Sequence, residues 1–311
     1  MTLNDAINQR VSVRHFKELP MQVNELTNFM RGIEAIPSLF ENETDTNKAK
    51  IASKNLAFKL LTHTEAEKMF SNLNKVCVYA PYYLFFYGEV NSANFLNCGY
   101  IGQIASLWLA CNNLAACFQH TGKLRYIETM PTEKASEPSS TTKSEEAKAS
   151  DDNTEPNGES LQAKSETISE KTGDSFTEAK RLPLALALGY ADKSAKLCPK
   201  KAVNKCLISG SPTPNLNLQL LLQTACQAPS EYNSQPWRFW TNDNTVHIFT
   251  YTTWPFKSDW HQAAESVACG ALVANLATLA ELKNLPYQIF CEKQVFSEIE
   301  KLTYQLSFRL L

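Results

Sequence analysis

The sequence predicts an α+β fold built from two similar halves, and three observations carry that expectation. Helix-like and strand-like segments are mixed without the regular βαβ rhythm of a parallel sheet. Two proline-serine motifs, IPSLFENE from Ile36 and APSEYNSQ from Ala228, each follow a helix-like apolar run and place an aromatic after one intervening residue. Cys98-Gly99 is followed by Asn113-Leu114 at the same spacing as Cys269-Gly270 is followed by Asn284-Leu285, across alanine-rich and leucine-rich runs. A shared register of this kind points to a duplication. The expected halves are residues 1–206 and 207–311, packed as a pseudo-symmetric pair in the way an isologous dimer packs.

Taken in order, apolar periodicity predicts helices over Asn4 to Gln9 and Asn24 to Ile33, a strand over Tyr82 to Tyr87, and a helix over Gly99 to Ala116. From Glu133 to Lys180 the chain is rich in Ser, Thr, Glu, Lys and Ala, with Leu161, Ile168 and Phe176 as its larger apolar residues. Such a segment buries too little surface to offset its ordering entropy, so a disordered low-complexity insertion at about 130–180 is expected. It is read as a solvated linker. Beyond it come a strand over Leu184 to Gly189, a helix over Leu216 to Gln227, strands over Trp237 to Trp240 and Val246 to Tyr251, a helix over Ser266 to Leu282 and a strand over Tyr287 to Cys291.

Composition removes several function classes. Lys and Arg total 30 against 32 Asp and Glu, a formal charge of -2, so no global field favours nucleic acid or anionic lipid. The opening MTLNDAINQRVSVRHF has no apolar core of signal-peptide length, and no stretch of about 18 apolar residues is read along the chain. A cytoplasmic protein with small-molecule partners, no nucleic acid and no membrane is expected. The nine cysteines lack paired spacing and read as buried, reduced thiols. Without a CxxC pair, and with five scattered histidines, a metal is not expected. The glycine fingerprints of Rossmann and phosphate-loop proteins are also missing.

Two segments could carry chemistry. Arg10, Ser12 and Arg14 alternate with Val11 and Val13, so in an extended chain the three polar side chains share one face. Two guanidiniums and a hydroxyl can cradle a phosphate, although a solvated basic edge is the commoner fate of such a triplet alone. In APSEYNSQPWRFW, Pro229 and Pro236 stiffen a loop that presents Ser230, Asn233 and Gln235, with Trp237 as its anchor in the core. That mixture of donors and acceptors suits a planar heterocycle. A packed helix-to-strand turn is the alternative.

Together these residues resemble the nitroreductase superfamily of FMN-dependent oxidoreductases, and within it the single-chain, duplicated TM-nitroreductase-like family. AINQRVSVRHF is similar to the family's N-terminal Arg-x-Ser-x-Arg signature, and LLLQTACQAPSEYNSQPWRF to its leucine-rich helix ending in Ala-Pro-Ser-x-x-Asn-x-Gln-Pro-Trp. Weaker echoes are APYYLFFYGE, GYIGQIASLWLACNNLAAC, LPLALALGYAD and SVACGALVANLATLAELKNL.

The resemblance implies mainly antiparallel sheets flanked by helices, with the two halves mimicking the family homodimer, so that a monomer acts as a pseudo-dimer. It implies one FMN held by Arg10 and Ser12 at the phosphate, Arg14 near the pyrimidine edge, and Pro229, Ser230, Asn233 and Gln235 against the ring and ribityl chain. Lys200 and Lys201, in LCPKKAVNK, fall where the family places further phosphate ligands. The implied chemistry is hydride transfer from NADH or NADPH through flavin N5 to a nitroaromatic, quinone or similar small acceptor. It needs no side-chain acid or nucleophile, because the cofactor carries the reaction.

Two departures from the family pattern stand out. In the first half Glu41, Glu43 and Asp45 replace the Asn, Gln and Trp of the second-half loop, so one site per chain is expected. Where relatives carry glycines that let backbone amides approach flavin N5, this chain reads NLAACFQHTGK. Asn113, Ala115, His120 and Thr121 are the residues at issue. His120 is either a replacement donor or an ordinary satisfied polar residue. This leaves a flavin-binding or flavin-sequestering protein with little turnover as the alternative to the enzyme, and a degenerate scaffold as a third reading.

Overall fold

A computed structural model describes residues 1–37, 39, 56–127, 180–193, 195–251, 259–291 and 301–311. The expected insertion, apart from Lys180, and the readings placed on Ser38, Glu41, Glu43 and Asp45 lie outside the described residues.

The first sheet contains β1 (Ala57–Thr62), β2 (Tyr82–Gly88), β3 (Ala115–His120) and β4 (Lys180–Gly189). Its order is β1-β2-β4-β3, antiparallel throughout. The period of two in a strand explains which residues go where. Tyr82, Leu84 and Phe86 of β2 and Leu182, Leu184, Leu186 and Leu188 of β4 enter the main core. The alternate residues, Tyr83, Phe85, Tyr87, Ala185 and Ala187, enter a second cluster with Phe70 and Leu73. Both faces of the sheet are therefore covered, which is why YYLFFYG is apolar on consecutive residues rather than alternating.

The second sheet repeats the plan. Strands β5 (Trp237–Asn242), β6 (Thr245–Tyr251), β7 (Tyr287–Phe290) and β8 (Leu302–Leu310) stand in the order β5-β6-β8-β7, again antiparallel. In each half a long apolar helix connects the second strand to the third: α5 (Ser92–Cys111) and α7 (Asp259–Leu282). These two helices cross in the core. A Cβ on Gly99 would collide with the Val267 carbonyl, and a Cβ on Gly270 with the Leu96 carbonyl. Each glycine meets the residue three before the other, the reciprocal contact that a two-fold relation produces.

The helix ends match as well. Asn113 (φ 59°) and Asn284 (φ 53°) are left-handed, and Leu114 and Leu285 donate back to Leu109 and Ala280, both at 2.9 Å. These are Schellman-type caps, in which asparagine tolerates the left-handed position. The sequence register between the halves is thus a register of identical helix crossings and identical stops.

The remaining helices are α1 (Leu3–Gln9), α2 (Val23–Glu34), α3 (His63–Met69), α4 (Leu73–Val76) and α6 (Leu216–Ala225). A polar thread ties α6 to the crossing: Gln103 Nε2 donates to Asn275 Oδ1 at 2.9 Å, and Asn275 Nδ2 donates to the Ala225 carbonyl at 3.2 Å.

Several boundaries differ from the sequence expectation. The helix expected over Gly99 to Ala116 starts at Ser92, where the Asn91 side chain accepts from Asn94 N–H, and stops at Cys111. Ala115 and Ala116 belong to β3, because pairing with Gly189 and Leu188 of β4 overrides alanine's high helical propensity, as tertiary context routinely does. The helix expected from Ser266 begins at Asp259. Within α7, Trp260–Leu282 is long and apolar enough to cross a membrane, contrary to the sequence reading that no such run exists, and 94% of its most apolar window is buried inside the fold. All nine cysteines are free, and among them Cys198 is exposed and Cys111 half-buried.

Candidate functional site

The site begins at the N-terminal strap. Thr2 and Asp5 form a capping box that starts α1, with Asp5 N–H on Thr2 Oγ1 at 3.2 Å. Helix α1 buries Ala6 and Ile7 and ends at Arg10, whose N–H donates to the Ala6 carbonyl at 2.8 Å. The chain then runs on in extended form, and Val13 N–H donates to Ala116 of β3 at 3.2 Å. Ser12 is half-buried and Arg14 exposed.

Nε and Nη1 of Arg10 are buried and have no hydrogen-bond partner among the described residues. Burial lowers its pKa from 12.5 to about 10 against the opposing pull of the Cys117 and Cys198 sulfurs. Arg14 also acts on Cys117, so both guanidiniums lie within electrostatic reach of one point on β3.

The second component is the loop after α6. Ala228 and Pro229 are buried, and a single 3-10 turn covers Glu231–Asn233. Tyr232 (φ 48°), Asn233 (φ 55°) and Gln235 (φ 50°) are left-handed without being glycine, a conformation costing roughly 1 kcal/mol or more per residue. Specific bonds hold it. Gln235 N–H donates to Ser230 Oγ at 3.0 Å, and Asn233 Nδ2 donates to the Pro199 carbonyl at 2.9 Å. Gln235 Nε2 donates to the Pro199 and Asn233 carbonyls, while its Oε1 accepts from Lys201 N–H at 2.6 Å. The Gln235 side chain therefore braces the loop, and Trp237, fully buried, anchors the start of β5.

Lys200 and Lys201 complete the cluster from the segment after β4. Lys200 Nζ donates to the Ala228 carbonyl at 2.7 Å and to Asn233 Oδ1 at 3.3 Å. Lys201 Nζ donates to the Ser234 carbonyl at 2.7 Å and to the Gln235 carbonyl at 3.2 Å. Burial first, and the Arg10 charge second, lower the Lys200 pKa to about 8. Arg10 and Lys200 are thus two desolvated cations that repel each other, and Lys200 is held by the Ala228 carbonyl and Asn233 Oδ1. An anion between them would relieve both.

The orphaned Arg10 nitrogens are a direct test of whether a phosphate-bearing cofactor fits, and they pass it. They supply charge-assisted donors that no other described residue engages.

At the far end of β3 sits His120, whose Nε2 is buried without a partner among the described residues. Its ring stands edge to face with Trp260 of α7, 6.3 Å apart at 84°. Burial lowers its pKa, opposed by the carboxylate of Glu231 and reinforced by His261, Lys123 and Arg181. A Cβ on Gly122 would lie 3.0 Å from both the His120 and the Trp260 rings. Thr121 is satisfied, its Oγ1 donating to the Leu182 carbonyl at 3.1 Å. Asn113 and Ala115, grouped with His120 in the sequence, lie at the opposite end of β3, because the intervening residues form an extended strand. Glu231 and Trp260 were not singled out from sequence. An acidic loop residue and a tryptophan at a helix start carry no local signal of a shared site.

A family profile described as "Putative TM nitroreductase" matches residues 2–136 and 163–267. No curated protein gives a significant match. Among solved structures, one described as a putative nitroreductase from Thermotoga maritima is 13% identical with a TM-score of 0.55, over 100% of this chain and 93% of that one. A nitroreductase with bound FMN from Desulfitobacterium hafniense is 12% identical, TM-score 0.36, over 63% and 92%. A variant of an FMN- and NADPH-dependent nitroreductase from a Sphingopyxis strain is 11% identical, TM-score 0.40, over 68% and 100%.

Proposed function

This chain belongs to the putative TM nitroreductase family, and from that premise we propose that it is an FMN-dependent oxidoreductase with one composite cofactor site. The observation that carries the reading is the meeting of two regions distant in sequence. Arg10 keeps orphaned guanidinium nitrogens within electrostatic reach of Lys200, and Lys200 is bonded to the loop that holds Asn233.

In this reading Arg10, Ser12 and Lys200 hold the FMN phosphate, Arg14 lies by the pyrimidine edge, and Pro229, Ser230, Asn233 and Gln235 hold ring and ribityl chain. Lys201 and Gln235 keep that loop in its left-handed form. The chemistry supplied by bound FMN is hydride transfer from NADH or NADPH and onward reduction of a nitroaromatic, quinone or similar small acceptor. The protein's part is to bind, orient and exclude water. A monomer of two halves, 1–206 and 207–311, acting in the cytoplasm as a pseudo-dimer, completes the proposal.

The visible spectrum of the purified protein after reconstitution tests it: FMN bands with near-stoichiometric binding are expected, and a colourless protein would refute it. A flavin-sequestering protein is the second reading, favoured by the absence of glycine at Asn113, Ala115, His120 and Thr121, the last buried and bonded to the Leu182 carbonyl. Anaerobic bleaching by NADPH or NADH separates the two, since the enzyme bleaches within seconds to minutes and the sequestering protein does not.

A further inference from the structure

Resting on the reading of one FMN site, we infer that His120 is a cofactor contact, a side chain whose Nε2 finds its hydrogen-bond partner in the bound flavin ring. Buried polar atoms in folded proteins nearly always have a partner, and His120 Nε2 has none among the described residues. The Trp260 ring meets the imidazole edge to face and offers it packing, not an acceptor. Gly122 leaves just enough room for these two rings to stay where they are.

The position of His120 ties it to the site. It ends β3, the strand that holds the Arg10-to-Arg14 strap through Val13 and Ala116. Across from it, within electrostatic reach, is Glu231, which lies in the turn between Ser230 and Asn233. The charged and titratable groups facing the imidazole are Glu231 from that loop, His261 from α7, Lys123 beyond β3 and Arg181 from β4. Burial dominates among them and keeps the ring neutral. A neutral imidazole has one donor and one acceptor nitrogen, and the edge of an isoalloxazine carries both carbonyls and ring nitrogens. No other described residue at the end of β3 offers this, since Thr121 is already bonded and Gln119 is engaged with Val78 and with the backbone of its own strand.

The experiment uses the full chain loaded with FMN and two variants. His120→Phe keeps a ring against Trp260 without polar atoms, and His120→Gln keeps polar atoms without the ring. FMN affinity is read by fluorescence quenching, together with the flavin absorption bands and midpoint potential. His120→Phe is expected to weaken FMN binding about fivefold, the worth of one hydrogen bond, and to shift both bands and potential. His120→Gln is expected to stay within about twofold of wild type.

If His120→Phe binds FMN with wild-type affinity, bands and potential, the inference is overturned while the flavin reading stands. If both variants weaken binding equally and lower Tm alike, His120 is a packing residue and the inference is again overturned. A wild-type protein that fails to bind FMN overturns the functional reading itself, and this inference with it.

Discussion

The two halves share a strand order and a central helix, but their connections and polar residues diverge. Between β5 and β6 the chain turns within Asp243 and Asn244, with Asp243 left-handed at φ 31°. Between β1 and β2 it inserts α3 and α4, and Ala66, Leu73 and the intervening Phe70 build a second apolar cluster against the first sheet. The first half carries Arg10, Ser12, Arg14 and His120; the second carries Pro229, Ser230, Asn233 and Gln235. Packing has kept the scaffold symmetrical, because the crossing helices tolerate no side chain at either glycine. The polar residues were under no such constraint, and what each half retains complements the other.

The symmetry is breakable at the helix crossing, where the largest effects are expected. Gly99→Ala and Gly270→Ala should each destabilise the fold by roughly 3 kcal/mol or more, since a methyl at either site must push the facing backbone away. Urea unfolding measures this, and comparable losses at the two positions would sharpen the equivalence of the halves. If one is tolerated, the crossing is not reciprocal.

The asymmetry is tested by function. Arg10→Ala should weaken FMN binding by about tenfold to a hundredfold, the worth of a charge-assisted pair, and Asn233→Ala by roughly tenfold, although they belong to different halves. Isothermal titration decides it. Unchanged affinity in both variants would remove the composite site.

A smaller effect concerns pH. The folded-state pKa of Lys200 is lowered, to about 8, so in free protein the folded chain releases this proton before the unfolded chain does. Stability of free protein is therefore expected to rise with pH between about 8 and the ordinary lysine value. An anionic ligand needs the charged lysine, so FMN affinity should fall about tenfold from pH 7 to 9. Lys200→Met should flatten both dependences, and a pH-independent affinity in the wild type would deny Lys200 a place at the anion.

Much of this was legible in the sequence where local chemistry and tertiary demand agree. The rigid loop was announced by its prolines and polar residues, though not its left-handed backbone, and the duplication by Cys-Gly and Asn-Leu at equal spacing, though not the helix crossing that it encodes. Strand β3 was hidden because AACFQH has no alternation that separates it from the helix before it, and only Asn112-Asn113 marked the break. Strand β1 was missed because its short, mostly half-exposed run carries little pattern, although Thr62 and Glu65 in the following turn form a readable capping box. The meeting of Arg10 with Lys200, and of His120 with Glu231 and Trp260, had no local trace. Those contacts arise from the arrangement of two sheets around one core.

The helix crossing also bears on how the polypeptide tolerates added length. Gly99 and Gly270 close a loop of about 170 residues, and closure entropy grows only with the logarithm of loop length. Adding or removing some fifty residues between β3 and β4 changes that cost by about 0.3 kcal/mol. The connection between these strands can therefore lengthen or shorten through evolution almost without thermodynamic penalty at the crossing, leaving its extent to be set by folding speed and proteolysis instead.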